Sequence, residues 1–200
     1  MALSTNHINE ILYNLPITKD KFIGTFASCQ FEQLPEKQVY GFITNDQHHL
    51  LPGGHWNAWW VEDEVVTFFD SFARSPLDFG HDYKHILGKF NSFRYLNKHL
   101  QSHDSAVCGY YCIHYIFLLS AGFSAQCFLN EYTTNTGKND LNVVKIINSL
   151  IYTFRFISKI LYQTFSKAHK NPRISHKILN YKCLPTRPAG SLLKLFCLYV

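Results

Sequence analysis

The segment from Ser105 to Ala121, SAVCGYYCIHYIFLLSA, is apolar on every side over a helical length. A helix without a polar face has to be covered all round by other elements, so the remainder of the chain is expected to wrap this one. The run Ile113–Leu119 is interrupted by His114 and falls short of the roughly 18 uninterrupted apolar residues of a membrane span. It reads as the central helix of a core. With 200 residues and 46% hydrophobic content, the chain has the material for one ordinary domain around it. Sparse charge and abundant aromatic residues argue against disorder over most of the chain.

The covering elements precede and follow the helix. Residues 4–15 (STNHINEILYNL) predict a first helix: Ser4 or Thr5 can cap it, Ile8, Ile11, Leu12 and Leu15 recur at helical spacing, and Pro16 closes it. Phe22–Phe26 and Val39–Thr44 read as strands. A polar loop, Asn45–Gly54, then delivers the chain to His55. Trp56–Val61 and Val65–Phe69, separated by Glu62-Asp63-Glu64, form a hairpin signal without the preferred Asn-Gly or Asp-Gly turn. Residues 81–100 read as helical in parts, and a further helix is expected from Leu141 to about Phe165. There is no internal repeat and no low-complexity tract.

Charge divides the chain. Residues 1–150 carry 10 Lys/Arg against 14 Asp/Glu, a net of −4, whereas residues 151–200 carry 9 Lys/Arg and no acid. The expectation is a mildly acidic domain over 1–150 and a basic extension over 151–200, helical at its start and loosely structured from about Ser166. Only that tail offers a nucleic acid or an anionic surface anything to bind. Its apolar ending, LLKLFCLYV, matches no functional pattern, and an unselected extension explains it equally well. The opening MALSTNHINE lacks the basic start and apolar run of a signal peptide, so an intracellular location, cytoplasm or nucleus, and free thiols are expected.

Cys108 is the first candidate for chemistry. With Asp104 or Ser105 as cap, it stands about three residues inside the start of the central helix, where unpartnered N–H groups and the helix dipole favour thiolate over thiol. Gly109 follows, so no side chain crowds that side of an attacked carbon. A lone helical cysteine is more often a small buried hydrophobe. The hairpin supplies a partner. A two-residue turn at Glu62-Asp63 sets His55 opposite Asp70, within reach of an imidazole–carboxylate bond that would leave the other ring nitrogen to take a thiol proton. A three-residue turn instead pairs His55 with Ser71. Gln101, seven residues before Cys108, could donate to an oxyanion together with the Cys108 backbone N–H. Trp56 could wall a substrate cleft, or simply pack in its strand.

Metal binding is the competing chemistry. Cys108, Cys112 and His114 imitate a ligand cluster, and His48, His49 and His55 add nitrogens, but no Cys-x-x-Cys is present and Cys108 and Cys112 share one helix instead of a knuckle. No metal site and no cofactor are expected. Cys29, Cys127, Cys183 and Cys197 have no partner pattern and read as structural.

The ordered set GGHWNAWW, FFDSF and LQSHDSAVCGYYC resembles the adenovirus protease (adenain) family, including the adenain-like enzymes of Maverick/Polinton-type elements, within the ubiquitin-like-protease superfamily of cysteine peptidases. The resemblance begins at ITKDKFIGTFASCQ and VYGFITND and runs to about Leu150. Its specific feature is the chain order His, Asp, Gln, Cys with a seven-residue step from Gln to Cys. It implies an α+β fold: a small mixed sheet carrying base and acid, packed beside a central buried helix bearing the nucleophile. It also implies peptide-bond cleavage near glycine, with His55 as general base, Asp70 as orienting acid, Gln101 as oxyanion donor and Cys108 as nucleophile, in a cleft partly walled by Trp56.

Two departures stand out. The viral enzymes are activated by a peptide tethered through a cysteine between the acid and the glutamine, yet residues 71–107 contain no cysteine. An activating peptide is compatible with the resemblance; that disulfide tether is not supported. The viral enzymes also use DNA as a cofactor, which only the basic tail could accommodate here. The expected partner is thus a protein or peptide substrate. Rival readings are an isopeptidase for ubiquitin-like modifiers, an acyltransferase that reuses the same residues, and a non-catalytic binding module derived from a mobile-element protease.

Overall fold

Helix α1 (Thr5–Asn14) starts at the expected cap: Ser4 Oγ accepts the His7 backbone N–H at 3.3 Å, and Ile8 and Leu12 are buried on one face. The structure is a computed structural model and describes residues 2–31, 35, 37–51 and 53–170. Strands β1 (Phe22–Ala27), β2 (Val39–Asn45), β3 (Trp56–Glu62) and β4 (Val65–Phe69) come next. They are followed by α2 (His81–Leu87), β5 (Ser92–Tyr95), α3 (Cys108–Ser120), α4 (Ala125–Asn130) and α5 (Thr136–Lys170).

The strands form one five-stranded sheet in the order β1-β2-β3-β4-β5. The two outer pairings are parallel and the two inner ones antiparallel. The fold is α+β with a mixed sheet, as expected. Its central strand β3 divides two cores. Trp56, Ala58 and Trp60 join α3, with Ile8 and Leu12 of α1 and Val143, Ile147 and Leu150 of α5. Trp59 and Val61 face the other way, onto Phe42, Phe68 and the α2 residues Tyr83 and Ile86. Burial on both faces explains why WNAWWV reads as a continuous apolar run without alternation.

The all-apolar segment is α3, and twelve of its thirteen residues are buried. Two details differ from expectation. The helix begins at Cys108 itself, with Val107 as a cap that makes no side-chain bond, so neither Asp104 nor Ser105 caps it. The helix expected from Leu141 begins five residues earlier, at Thr136, and continues past residue 165 to Lys170.

The chain divides into two compact units, Met1–Arg155 and Phe156–Val200. The sheet, α1 to α4 and the first part of α5 belong to the first unit. Of the second, the structure describes α5 to Lys170; the rest of the basic extension, with Cys183 and Cys197, lies outside the described residues. The four described cysteines are free thiols. No helix among the described residues is long and apolar enough to cross a membrane.

Candidate active site

His55 immediately precedes β3 and Asp70 immediately follows β4, so both stand at the same end of the hairpin. The approach to His55 depends on Gly54, whose φ of +96° suits glycine and where any side chain would collide with Asn45 Oδ1. The His55 backbone N–H donates to Asp46 Oδ1 at 2.6 Å, and the Asp46 N–H donates back to the His55 carbonyl at 3.1 Å. The loop's far end is therefore fastened to the end of β2.

The hairpin register differs from both readings of the sequence. Glu62 pairs with Val65, and Ala58 with Phe69. The turn is Asp63-Glu64, one residue later than expected, with φ of 50° and 63°. Two successive left-handed residues match the twist of the flanking strands, a geometry this sequence reaches without Asn or Gly. Continued past the last pair, this register sets His55 opposite Phe72, and their rings lie 4.9 Å apart. Asp70 is then the diagonal neighbour of His55. The imidazole still reaches it: His55 Nε2 is 2.7 Å from Asp70 Oδ1.

Asp70 is held on both oxygens and its side chain is fully buried. Oδ1 also accepts the Phe72 N–H at 3.0 Å, while Oδ2 accepts Arg74 Nε at 2.7 Å and the Arg74 backbone N–H at 3.3 Å. Burial alone would raise the carboxyl pKa; the hydrogen bond and charge of His55, with help from Phe72 and Arg74, bring it below the ordinary value instead. His55 shifts the opposite way. Burial would lower it, but hydrogen bonds to Asp70 and to Cys108 and the two neighbouring negative charges carry it from 6.5 up to about 9.

Cys108 lies near enough to raise the proton affinity of this imidazole, and so the third stretch of chain meets the hairpin. Since Nε2 is committed to Asp70, Nδ1 is the ring nitrogen left for the sulfur. Cys108 is the first residue of α3 and nearly buried, at 7% exposure. Gln101 is buried as well, with its amide fixed at both ends: Oε1 accepts from Ser71 Oγ at 2.7 Å, and Nε2 donates to the Ser105 carbonyl at 2.8 Å. One amide hydrogen is thereby used and the second is not committed to that bond.

Trp56 is 8% exposed, and its indole N–H donates to the Leu3 carbonyl at 2.9 Å. Gly109 meets it from the helix side: a Cβ there would lie 3.2 Å from Leu3 Cβ and 3.3 Å from Trp56 Cδ1. The absent side chain lets the start of α3 approach Trp56, a packing reason for glycine beside the one read from sequence. Cys112, one turn on, is buried and its thiol pKa is pushed up. His114 bonds Tyr132 Oη through Nδ1 at 2.6 Å, and burial drives its pKa down to about 3, so it stays neutral.

Three contributors escaped the sequence reading, Asp46, Phe72 and Arg74, and a fourth, Ser71, entered it only as an alternative partner of His55, not as the donor to Gln101. Arg74 also lies over the Phe79 ring at 4.3 Å, and Phe72 stacks on His103 at 5.4 Å. The spacing of Asp70 and Arg74 is a weak ion-pair hint; Asp46 and Phe72 carried no signal. The assembly sets an imidazole between a buried carboxylate, which accepts from its far nitrogen and balances its positive charge, and a neighbouring thiol that can serve as proton source.

No family model matches the chain, and no curated protein matches it. Solved structures do. ChlaDub1 from Chlamydia trachomatis superposes with a TM-score of 0.56 at 11% identity, covering 78% of this chain and 92% of its own. The fold is similar to that of ChlaDub1. The ASFV pS273R protease matches with a TM-score of 0.47 at 18% identity over 71% of this chain and 66% of that one. The chain thus spans just under two thirds of that protease's length. The SUMO protease Ulp1 matches with a TM-score of 0.42 at 13% identity over 74% of this chain and 78% of that one.

Proposed function

We propose that the chain is a cysteine peptidase acting on protein or peptide substrates. The observation that carries this reading is the His55 imidazole, bonded to Asp70 through Nε2 at 2.7 Å and raised in proton affinity by the neighbouring Cys108. Such an imidazole receives the thiol proton, and Asp70 stabilises the resulting cation. The thiolate of Cys108 attacks the substrate carbonyl carbon, and the carbonyl electrons move onto oxygen. The Cys108 backbone N–H and the uncommitted Gln101 amide hydrogen are the donors for that oxyanion. Collapse expels the amine, which takes its proton from His55. Water, deprotonated by His55, then attacks the thioester and releases the acid and the thiol.

Preference for glycine beside the scissile bond rests on the adenain-like motifs, as does an origin in a mobile-element protease. Trp56 packs against Gly109 at the start of α3, and beside so bulky a neighbour a substrate residue without a side chain can lie closest to the sulfur. The test is turnover of a glycine-containing peptide together with labelling by a thiol-directed inhibitor. Cys108→Ala is expected to abolish both, and undiminished hydrolysis by that variant would refute the assignment. The same assay run on a modifier ending in Gly-Gly separates an isopeptidase from a linear-chain endopeptidase. Dependence on an acyl-CoA would reveal an acyltransferase. Peptide binding without any labelling of Cys108 would reveal a binding module.

A further inference from the structure

Away from the Cys108 site, a second thiol–imidazole group collects at the end of the sheet's first two strands. β1 and β2 run parallel, with Ala27 beside Asn45, so the segments leaving them start side by side. Cys29 lies two residues beyond Ala27, in a short 3-10 turn (Ser28–Gln30); His48 and His49 lie three and four beyond Asn45. Cys29 Sγ is 3.4 Å from His49 Nδ1, and the two imidazole rings are 4.2 Å apart. One ligand atom from each of Cys29, His48 and His49 lies within 4.8 Å of the others.

We propose that Cys29, His48 and His49 bind a zinc-type divalent ion. A thiolate with two imidazoles is a donor set that zinc favours, and three protein ligands leave one position for water or another donor. On a tetrahedral ion with ordinary Zn–S and Zn–N bonds, neighbouring ligand atoms stand about 3.3–3.6 Å apart. The sulfur–nitrogen pair already meets that spacing, and His48 closes the third corner by a rotation of an exposed side chain. His48 Nδ1 accepts a weak 3.4 Å bond from the Leu50 N–H. Binding through Nε2 would move the ring proton to Nδ1 and release that bond, a small loss at an exposed position. Coordination displaces one proton, from the Cys29 thiol. The ion would fasten the 3-10 turn to the loop that reaches His55 six residues after His49.

The test uses the full chain carrying Cys108→Ala, so that the His55 site offers no competing thiolate. Zinc is titrated against a chromophoric chelator, and cobalt(II) reports a thiolate bond through its near-ultraviolet charge-transfer absorption. One equivalent of ion and a thiolate band are expected. Cys29→Ser should remove the band, and His48→Ala or His49→Ala should each weaken binding by more than about tenfold. Absence of a thiolate band, or a band and affinity unchanged in Cys29→Ser, would show a simple thiol–imidazole hydrogen bond and overturn the proposal. Should Cys29→Ser fail to fold, the exposed His48→Ala variant decides: unaltered zinc affinity there also overturns it.

Discussion

His55 and Asp70 meet at 2.7 Å although the hairpin does not set them opposite one another. The contact is diagonal, made by two residues that lie just outside the paired strands and therefore outside the ladder that aligns them. Fixing it falls to what surrounds them. Asp46 holds the His55 backbone, Arg74 and the Phe72 N–H hold the carboxylate, and the Phe72 ring lies against the imidazole.

The raised pKa of His55 makes stability depend on pH in a definite direction. The folded chain holds this proton up to about 9, against 6.5 for the free side chain. The stabilisation is complete below the lower value and is lost as pH rises through the upper one. The shift corresponds to about 3 kcal/mol. Urea midpoints measured from about pH 6 to about pH 10 should fall across that window, and His55→Gln should remove most of the fall. In the proposed peptidase, kcat/KM should decline on the alkaline side near the same value; a profile flat to higher pH would count against it.

Asp70→Asn leaves the shape of the site nearly unchanged but removes the charge that His55 and Arg74 share. The expected loss in kcat/KM is about 10²-fold or more, with the alkaline limb of the pH profile moved to lower pH. Arg74→Met should cost less activity. It deprives a fully buried carboxylate oxygen of its charged donor, so a stability loss of about 1–3 kcal/mol is expected by chemical denaturation.

Gln101→Ala tests the oxyanion role. The proposed mechanism expects kcat to drop by about 10²-fold while KM changes little, because the oxyanion exists only in the transition state and intermediate. Ser71→Ala frees one end of the same amide and should give a smaller decrease of the same kind. If Gln101→Ala raises KM and spares kcat, the residue serves binding and not oxyanion stabilisation.

Gly41→Ala probes how tightly α3 is seated on the sheet. An added Cβ would lie 2.6 Å from Ile116 Cδ1 and 2.8 Å from Trp60 Cε3. The isoleucine terminus can turn away, but the indole is wedged in the core. A loss of about 1–3 kcal/mol is expected, read as a lower melting temperature. A neutral effect would mean that the helix can lift from β2 and β3.

Much of the scaffold was legible because it is written in local terms. The all-round apolar helix, the Ser4 cap and the doubly buried β3 each leave a periodicity or a capping residue in sequence. Strand β5 was missed because all four of its residues are exposed and show no alternation. Helix α4 was missed because six residues are too few to show a period. The hairpin was recognised but its turn was misplaced by one residue, since Glu62-Asp63-Glu64 offers no Asn-Gly to mark it.

Sequence alone determined that Cys108 would lie in the first turn of a buried helix and that His55 and Asp70 would flank a hairpin, because local pattern and chain order carry both facts; that the helix begins at Cys108 itself was decided by the tertiary structure. Sequence did not determine which oxygen meets which nitrogen, that Arg74 would complete the carboxylate's bonding, or that Cys29 would stand beside His48 and His49. Those relationships belong to residues far apart in the chain or just beyond a strand's last pair. Tertiary packing decided them, because contacts between distant segments are made only when the sheet assembles, and no local periodicity records them.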